Sequence, residues 1–537
     1  EANRNHFFIR PRKFGKSLFF SMLSYYYDIN KKKDFDKYFG GLYIGKNPTL
    51  QRNSYAMLTF DFSGLDTSSE DEFKKSFSGK VQDSVRLFLN LYENIFPQAK
   101  LLIREIVDGK QGIGALDTAF NEALQNNVKI FVIIDEYDHF ANDLIAMGEY
   151  RGKDFYKRMV AANGLVRDFY ERIKDATKTS VHRTFITGIS PVMLDDLTSG
   201  YNIAQILTLS SKYNEMMGFT QKEVDWLRDV TGVNPELITV DMEKYYNGYL
   251  FNAEGENRVY NPAMVLYFFN QILDYGRPPK NIIDLNLRTD YGRLQKLVKN
   301  EDNRNTVLQI LRDNAVTAKI EDKFSIDMLN DGDYFISLLF YMGLLTIEGQ
   351  HKFQTRLCIP NYSIKTLYWE YLEKFARKNS SEMKIDASKL NDTIYDLAME
   401  GNVNDFVKYV SENAFCKLSD YDLQRFDEKY IKILLLAYLF MSDVYVPMSE
   451  YETVPGRADI YLHRSPLLPE IKYEWLFEIK YCKVSDSEEE VAVKKQKGLQ
   501  QLDEYITSFR LKDRTDLRSA LLVFTGKDRF EIIAHNF

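Results

Sequence analysis

Two separated stretches of the chain carry residues suited to holding a phosphate. The first reads FFIRPRKFGKS and runs from Phe7 to Ser17. We interpret it as a strand end, a tight loop and a helix start, where unpaired backbone N–H groups attract anions. Gly15, Lys16 and Ser17 match the end of the pattern G-x-x-x-x-G-K-[ST], in which the lysine reaches phosphate oxygens and the hydroxyl binds Mg²⁺. The first glycine of that pattern falls on Arg10, so a plain surface loop is the alternative.

The second stretch, VKIFVIIDEYD, runs from Val128 to Asp138. Its apolar and β-branched residues predict a strand buried on both faces of a parallel sheet. Acids at the carboxyl end of such a strand lie where open α/β sheets bind ligands. We expect Asp135 to hold Mg²⁺ and Glu136 to orient and deprotonate the water that attacks a γ-phosphate. The alternative, that both acids only solvate the strand end, is weakened by the loop upstream.

A third charged group lies towards the end of the chain. Glu478 and Lys480 belong to an otherwise apolar run that begins at Trp475, and Asp459 precedes another apolar run. The strand period of two places Glu478 and Lys480 on one face. With Asp459 on a neighbouring strand, two carboxylates can share one Mg²⁺ while the lysine stabilises charge or positions the water that attacks a phosphodiester. A solvated strand face is the alternative, although charges are rare in core strands.

With these motifs the chain resembles AAA-ATPase-like proteins that carry a C-terminal PD-(D/E)XK nuclease-superfamily domain. The resemblance covers nearly the whole chain, and an arginine in place of the first loop glycine is usual in that family. Its N-terminal motifs are RPRKFGKS from Arg10, IDEY from Ile134, FITGIS from Phe185, YNGY from Tyr246 and YNP from Tyr260. The resemblance implies Walker A and Walker B elements, with ATP and Mg²⁺ as cofactors. The residues expected to contact the nucleotide are Arg12, Lys13, Phe14, Gly15, Lys16, Ser17 and Thr187, with Ser17 and Asp135 as metal ligands.

Thr187 and Ser190 are both candidates for the polar residue that senses the γ-phosphate beside the acidic strand. A purely structural hydroxyl in a Thr-Gly turn is the alternative. The chain's six histidines do not cluster with acids or cysteines at metal-ligand spacing. His139, which follows the acidic strand, is expected to be structural.

In the C-terminal part, the resemblance implies an arrangement of Asp, Glu-x-Lys and Gln-x-x-x-Tyr. It falls on Asp459, Glu478, Lys480 and Gln501 as catalytic residues, with Asp459 and Glu478 as metal ligands. Glu428 is a candidate for the family's additional helix acid, but Ile431 stands where a histidine commonly follows the family's tyrosine. The basic run from Lys494 to Lys497 either touches a nucleic-acid backbone or forms a solvated helix start.

Composition is that of a soluble globular protein of about three or four domains, at the usual ~100–200 residues each. The chain has 537 residues, 45% of them hydrophobic, and a net charge of −7, which argues against a generally basic nucleic-acid coat. No run approaches the ~18 apolar residues that a membrane span needs. Three scattered cysteines fit neither a disulfide framework nor a zinc site, so a reducing cytoplasm is expected. Since Glu1 is not Met and lies just before the first strand, we expect a preceding segment.

Alternating strand and helix patterns predict an α/β protein. We expect a phosphate-loop (ASCE/AAA-like) parallel sheet, a helical and winged-helix-like middle region that packs on the core, and a C-terminal restriction-endonuclease-like α/β domain. A capping box at Thr220–Glu223 and a hairpin turn at Glu348–Gln350 are expected in the middle region. The predicted domains are residues 1–210 for the ATPase core, 211–377 for the lid and winged-helix-like region, 378–415 for linker helices and 416–537 for the nuclease-like domain.

Two functions remain open at this point. The first is an ATP-hydrolysing protein fused to a Mg²⁺-dependent nuclease-like domain that acts on nucleic acid, DNA rather than RNA. The second is a nucleotide-driven switch whose C-terminal domain binds nucleic acid or protein without cleavage. No membrane partner is expected, and a homo-oligomer is an open alternative.

Overall fold

The computed structural model divides into two units. The N-terminal unit contains most of the chain up to Asn361, and the C-terminal unit contains the chain from Tyr362 onward with two short earlier segments. The structure describes residues 3–108, 112–147, 149–161, 163–197, 201–238, 241–279, 281, 283–284, 297–298, 301–379, 386–417, 427–442, 444–452, 456–465, 468, 470–507, 511 and 514–535.

A five-stranded parallel sheet forms the centre of the N-terminal unit. Its order is β2-β3-β4-β1-β5, so the phosphate-loop strand β1 lies next to β4, which in turn borders the acidic strand β3. Every residue of β3 is buried, as its unbroken apolar sequence requires. The strands are β1 (Asn5–Phe7), β2 (Ala56–Asp61), β3 (Ile130–Asp135), β4 (Val181–Ile186) and β5 (Gln205–Ile206).

Helices connect the strands of this sheet. In the long helix α4 the residues Phe73, Phe77, Val81 and Val85 recur every fourth position and are all buried, and the Ser69 hydroxyl caps the first turn. The helices are α1 (Lys16–Tyr27), α2 (Phe35–Phe39), α3 (Tyr43–Lys46), α4 (Glu70–Leu91), α5 (Ala99–Val107), α6 (Ala115–Gln125), α7 (His139–Met147), α8 (Glu149–Val160), α9 (Leu165–Ala176) and α10 (Leu194–Leu197).

The middle region begins with short helices whose starts match the sequence signals. The predicted capping box is confirmed, because the Thr220 and Glu223 side chains each accept a bond from the other residue's backbone N–H. Asn261 caps the next long helix, with Pro262 in its first turn. These helices are α11 (Gln221–Thr231), α12 (Met242–Tyr246) and α13 (Pro262–Tyr275).

A helix, a strand, a second helix and a hairpin follow. They are α14 (Glu301–Asp313), β6 (Ala315–Ala318), α15 (Gly332–Tyr341), β7 (Thr346–His351) and β8 (Gln354–Cys358), and the strands pair antiparallel in the order β6-β8-β7. The predicted position of the hairpin turn was wrong. Gly349 lies inside β7 at a register shift, whereas Lys352, at φ 56°, lies in the turn.

The C-terminal unit contains a mixed five-stranded sheet ordered β13-β12-β11-β10-β9. Strands β11 and β12 are parallel and joined through α20, whereas the other neighbours are antiparallel. The predicted linker falls partly on residues 380–385, which lie outside the described residues. The elements are α16 (Tyr362–Asn379), α17 (Ala387–Met399), α18 (Val403–Asn413), α19 (Glu428–Leu439), β9 (Tyr445–Glu452), β10 (Arg457–Arg464), β11 (Glu474–Cys482), α20 (Glu488–Ile506), β12 (Leu517–Thr525) and β13 (Arg529–His535).

Within the described ranges, no helix combines the length and apolar character that a bilayer span requires.

Candidate functional site

The loop between β1 and α1 has the backbone shape of a phosphate loop. Gly15 takes a left-handed conformation with φ 86° immediately before α1, and its carbonyl accepts the Phe19 N–H at 2.9 Å. A residue with a side chain rarely adopts that φ, which explains a glycine at this position. Lys13 is also left-handed, with φ 65°. The helix start therefore directs its unpaired N–H groups into the turn formed by these residues.

The Lys16 ammonium is buried against its own loop. Its Nζ donates to the carbonyls of Arg10 at 3.0 Å and Pro11 at 2.9 Å. Burial lowers the pKa of Lys16 to about 8, against the opposing effect of the nearby acids Asp135, Asp138 and Glu136. The ammonium thus has two backbone partners inside the loop.

Ser17 and Asp135 meet across the sheet edge. The Ser17 hydroxyl donates to Asp135 Oδ2 at 2.9 Å, which brings together the two side chains expected to hold Mg²⁺. Burial raises the pKa of Asp135, while the bond from Ser17 and the charge of Lys16 oppose that rise. A hydroxyl and a carboxylate supply the hard oxygen ligands that Mg²⁺ takes beside waters and nucleotide phosphates.

Glu136 follows Asp135 in a left-handed conformation, with φ 50°. Its Oε2 lies 2.8 Å from His139 Nδ1, and His139 Nε2 accepts the Gly64 N–H at 3.1 Å. In the neutral ring the proton therefore lies on Nδ1, which donates a hydrogen bond to the carboxylate. This bond lowers the pKa of Glu136 and raises that of His139, whose Nε2 also lies 3.3 Å from Asp143 Oδ2. We expected His139 to be structural, but its spacing of three residues from Glu136 permits this contact.

Arg10 fills the position of the missing first glycine without facing the loop interior. It is completely buried, with its guanidinium over the rings of Phe8 and Phe251 at 4.2 and 3.9 Å. It donates to backbone carbonyls that include Thr208 at 3.2 Å and Met216 at 3.2 Å. Burial lowers its pKa to about 9. Arg10 therefore fastens the loop to the segment that follows β5.

The motifs YNGY and YNP also lie against the loop. Phe14 is buried, with its ring edge-on to Tyr249 at 5.0 Å, and Asn261 donates from Nδ2 to the Arg12 carbonyl at 3.3 Å. A Cβ added to Gly343, after α15, would come within 2.8 Å of Pro11 Cβ. The middle region therefore packs on the loop, as expected of a lid.

The hydroxyls of Thr187 and Ser190, the two candidates for a γ-phosphate sensor, are both hydrogen-bonded within the protein. Thr187 is completely buried and its hydroxyl donates to the Phe8 carbonyl. The Ser190 hydroxyl donates to Asp138 Oδ2 at 2.8 Å. Asp138 is itself fully buried and also accepts the Ile189 N–H at 3.1 Å. Both hydroxyls therefore have partners at the ends of neighbouring strands.

In the C-terminal unit, Asp459 and Glu478 lie on neighbouring strands. Ile460 pairs with Phe477, and Asp459 Oδ2 accepts the Ile479 N–H at 2.9 Å. Lys480 Nζ donates to Glu478 Oε1 at 2.7 Å. The other oxygen, Glu478 Oε2, is buried and receives no hydrogen bond from any described residue. A carboxylate oxygen buried in this way is costly unless a cation or water reaches it.

Burial and the neighbouring Asp459 raise the pKa of Glu478 to about 7. Burial would lower the pKa of Lys480, but the Glu478 carboxylate outweighs it and the pKa is raised. A carboxyl whose pKa is shifted by burial and by specific charged neighbours marks a candidate functional site.

Gln501 and Tyr505 line this cluster from helix α20. Gln501 Nε2 donates to the Tyr505 hydroxyl at 3.3 Å, while the buried Gln501 Oε1 has no partner among the described residues. Burial raises the pKa of Tyr505 to about 12, with a further contribution from Glu478. The helix approaches closely because Gly498 has no side chain: a Cβ there would meet Leu521 Cδ1 at 2.5 Å and Lys480 Cγ at 3.3 Å.

Helix α19 contributes two more charged groups. Glu428 Oε1 accepts the Tyr481 N–H at 3.2 Å, which places this candidate acid beside β11. One turn later, the buried Lys432 brings Nζ to 3.5 Å from Asp459 Oδ1. Sequence reasoning missed Lys432, although its i,i+4 spacing from Glu428 is a signal that both face the same way. Lys494 pairs with Asp486 at 2.8 Å, in keeping with the alternative of a solvated helix start.

Both clusters have donors that fit a divalent ion. In the described part of the chain, no group of three or more His, Cys, Asp or Glu side chains is arranged to hold a metal ion by itself. The ligands that the protein offers are Ser17 with Asp135 in the first cluster and Asp459 with Glu478 in the second. Such sparse ligand sets suit Mg²⁺, which keeps several waters and binds phosphate oxygens of its substrate.

The chain was compared with known proteins. It is 26% identical over 276 residues to an uncharacterized protein in the vnfD 5′ region of Azotobacter chroococcum mcd 1, and the match covers 50% of this chain and 46% of that relative. The chain thus spans about half the length of the curated relative. A Walker-type ATPase of Pyrococcus abyssi aligns over 68% of this chain and 91% of its own, with 13% identity and a TM-score of 0.35.

Two family models match the chain at its opposite ends. One is described as a predicted AAA-ATPase and matches residues 1–198, which include the phosphate loop and the acidic strand. The other describes the PD-(D/E)XK nuclease superfamily and matches residues 426–533, which include the Asp459 and Glu478 cluster. The predicted resemblance is thereby confirmed: the chain joins an AAA-ATPase-like domain to a C-terminal domain of the PD-(D/E)XK nuclease superfamily.

Proposed function

We propose that this protein binds and hydrolyses ATP at the phosphate loop and cleaves nucleic-acid phosphodiesters, with Mg²⁺, at the cluster on β10 and β11. The observation that carries the nuclease half is the buried Glu478 Oε2, which no described residue satisfies, on the same sheet face as Lys480 and beside Asp459. DNA is the preferred substrate in this proposal. The middle region acts as a winged-helix-like lid on the ATP site.

In the ATPase half, the loop N–H groups and Lys16 bind the nucleotide phosphates, and Ser17 and Asp135 hold the ion. When bound, Mg²⁺ neutralises charge that develops on the transferred phosphoryl group. Glu136 accepts the proton of the attacking water and is oriented for this by His139 Nδ1 at 2.8 Å. The positive charge of Arg12 acts to lower the pKa of both Lys16 and Glu136. Arg12 therefore lies close to these two side chains, as suits a loop residue that contacts phosphate.

In the nuclease half, Asp459 and Glu478 hold the ion, which when bound polarises the phosphodiester and favours ionisation of the attacking water. Lys480 stabilises the negative charge that develops on phosphorus oxygens. Gln501 orients the substrate or water from α20, since it donates to the Tyr505 hydroxyl, whose pKa is raised by burial and by the nearby Glu478 and Asp459 carboxylates. No covalent enzyme intermediate is required.

Purified full-length chain tests both halves. ATP turnover should be lost in Lys16→Ala and retained in Lys46→Ala, an exposed lysine away from the loop. Cleavage of linear, circular and single-stranded DNA and of RNA should require a divalent ion. It should disappear in Glu478→Ala and Lys480→Ala but not in Lys429→Ala, whose exposed side chain pairs with Asp313. Wild-type chain that cleaves none of these substrates would refute the nuclease half.

A nucleotide-driven switch without nuclease activity is the second candidate. The observation that favours it is Lys432, whose ammonium partly balances the acids of the cluster without any metal. In that case the C-terminal unit would bind nucleic acid or protein, and Mg²⁺ would not stabilise the chain through Asp459. Thermal unfolding of wild type and Asp459→Asn, each with EDTA or Mg²⁺, separates the two functions.

A further inference from the structure

Lys432 is a second lysine of the nuclease-like cluster. It lies on α19, and only 4% of its side chain is exposed. A buried ammonium is retained when it has a specific partner, because its removal from water is costly. One partner here is Asp459, whose Oδ1 lies 3.5 Å from Lys432 Nζ.

The two oxygens of Asp459 face different groups. Oδ2 accepts the Ile479 N–H at 2.9 Å and is thereby fixed to β11. Oδ1 is the oxygen that faces Lys432. A divalent ion shared by Asp459 and Glu478 would approach these same carboxylates and meet the ammonium there. Two cations that share a carboxylate repel each other strongly at a site with little water.

The charge balance of the cluster changes sign when a divalent ion binds. Glu428, Asp459 and Glu478 contribute three negative charges, and Lys432 and Lys480 contribute two positive charges. The net charge is therefore −1 when all five groups are ionised, and it becomes +1 with one divalent ion. These five groups therefore attract a phosphodiester more strongly in the second condition.

We propose that Lys432 is a resident counter-cation that competes with the divalent ion for Asp459 and so sets a high ion concentration for loading the nuclease-like cluster. This inference rests on the proposed metal site. Lys432 is a positioning residue in this role: it holds Asp459 in place before the ion arrives and weakens the binding of that ion.

The test is a titration of the full chain with Mn²⁺ in the absence of nucleotide. Electron paramagnetic resonance measures the concentration of free ion at each step. The difference between wild type and Asp459→Asn isolates ions bound at this cluster. Lys432→Met should bind Mn²⁺ there roughly tenfold more tightly, the size expected for removing one nearby charge from a partly buried site. Lys432→Gln, which keeps a polar donor but no charge, should behave similarly. Lys432→Arg and Lys429→Met, a substitution on the same helix, should match wild type.

The outcomes separate this inference from the proposed function. If Asp459→Asn binds as much Mn²⁺ as wild type, the metal site itself is refuted. If Asp459→Asn loses an ion but both Lys432→Met and Lys432→Gln bind it no better than wild type, the counter-cation role is overturned and the metal site stands. Circular dichroism melting in EDTA shows whether each variant is folded. Lys432→Met should melt lower there and gain more from Mn²⁺ than wild type, because Asp459 has lost its buried partner.

Discussion

At the scale of single residues, the Glu136 carboxylate has a hydrogen-bond partner within the protein itself. The His139 imidazole fixes one carboxylate oxygen, and the Gly64 N–H fixes the imidazole. Because this bond favours the ionised carboxylate, Glu136 is kept able to accept a proton at neutral pH. Glu136 adopts a left-handed backbone conformation directly after β3.

Glu136→Gln should therefore abolish turnover without abolishing nucleotide binding. An amide cannot accept the proton of water, so the ATP hydrolysis rate should fall by roughly 10²–10⁴-fold. Steady-state phosphate release and equilibrium binding of a fluorescent ATP analogue measure the two effects. Glu72→Gln, at an exposed acid in the first turn of α4, is the control. A variant that hydrolyses ATP at the wild-type rate would exclude Glu136 as the base.

Glu478 predicts a pH dependence for the C-terminal cluster. Its pKa is raised to about 7, so below that pH a proton competes with the divalent ion for the carboxylate. Mn²⁺ binding and metal-dependent cleavage should strengthen as pH rises from 5.5 to about 7 and then level off, in line with that pKa. Mn²⁺ titrations across this range measure the effect. An affinity that does not change with pH in wild type would contradict the prediction.

The same group predicts the stability of the metal-free chain. The pKa of Glu478 is about 7 in the folded chain, whereas its ordinary value is 4.5. Between these two pH values the folded state therefore binds more protons at this carboxyl than the unfolded state does. Its contribution to folding stability is therefore lost as pH rises through this window. Melting curves in EDTA should show this loss in wild type relative to Glu478→Gln, which has no charge to gain.

At the scale of elements, sequence reasoning succeeds where one local rule decides. The apolar β3 and the Thr220 capping box follow from burial and hydrogen bonding within a few residues. The hairpin turn was misplaced because Gly349 serves a bulge, which depends on the pairing of β7 with β8. The partner of Thr187 likewise depends on pairing: a hydroxyl at a strand end has several possible partners, and Phe8, directly after β1, provides the carbonyl.

In the candidate sites, too, some residues follow from local sequence rules and others depend on how the elements pack. Asp459, Glu478 and Lys480 are found from spacing, because strand periodicity is local. Lys432 could not be found in that way, since its role depends on how α19 lies over the sheet. Arg10 likewise becomes intelligible only when the aromatic rings and carbonyls around it are known.

Two glycines within helices, Gly498 in α20 and Gly79 in α4, should respond to substitution by alanine in opposite ways. Gly498→Ala would place a Cβ 2.5 Å from Leu521 Cδ1, so it should destabilise the C-terminal unit by about 1–3 kcal/mol. Gly79→Ala in α4 meets nothing within 4 Å. It should stabilise the N-terminal unit by about 0.5–1 kcal/mol, since alanine is the better helix former. Chemical denaturation monitored by circular dichroism measures both, and equal shifts would contradict the packing described.

At the scale of the whole molecule, the two clusters lie in different units. Each gathers its charged side chains from within its own unit, and each unit has a sheet of its own. The chain therefore combines two sites that are each built locally, whatever signal passes between them.

Damage to either site should consequently leave the local chemistry of the other intact. Lys16→Ala should retain metal-dependent stabilisation through Asp459, and Asp459→Asn should retain ATP hydrolysis within about twofold in the absence of nucleic acid, since sites that share no side chain act independently. Thermal shift with Mn²⁺ and phosphate release test the two directions. Loss of ATP hydrolysis in a folded Asp459→Asn variant would show that the ATP site depends on the C-terminal unit.

The two carbonyl partners of Lys16 have a thermodynamic consequence for ligand uptake. Because its ammonium already donates to Arg10 and Pro11, arrival of a nucleotide is an exchange of partners and not the capture of an unpaired charge. The heat released at this contact is then a small difference between two similar hydrogen-bond enthalpies. Calorimetry would therefore record only a small binding enthalpy for the Lys16 contact, although replacement of Lys16 still costs most of the affinity for nucleotide.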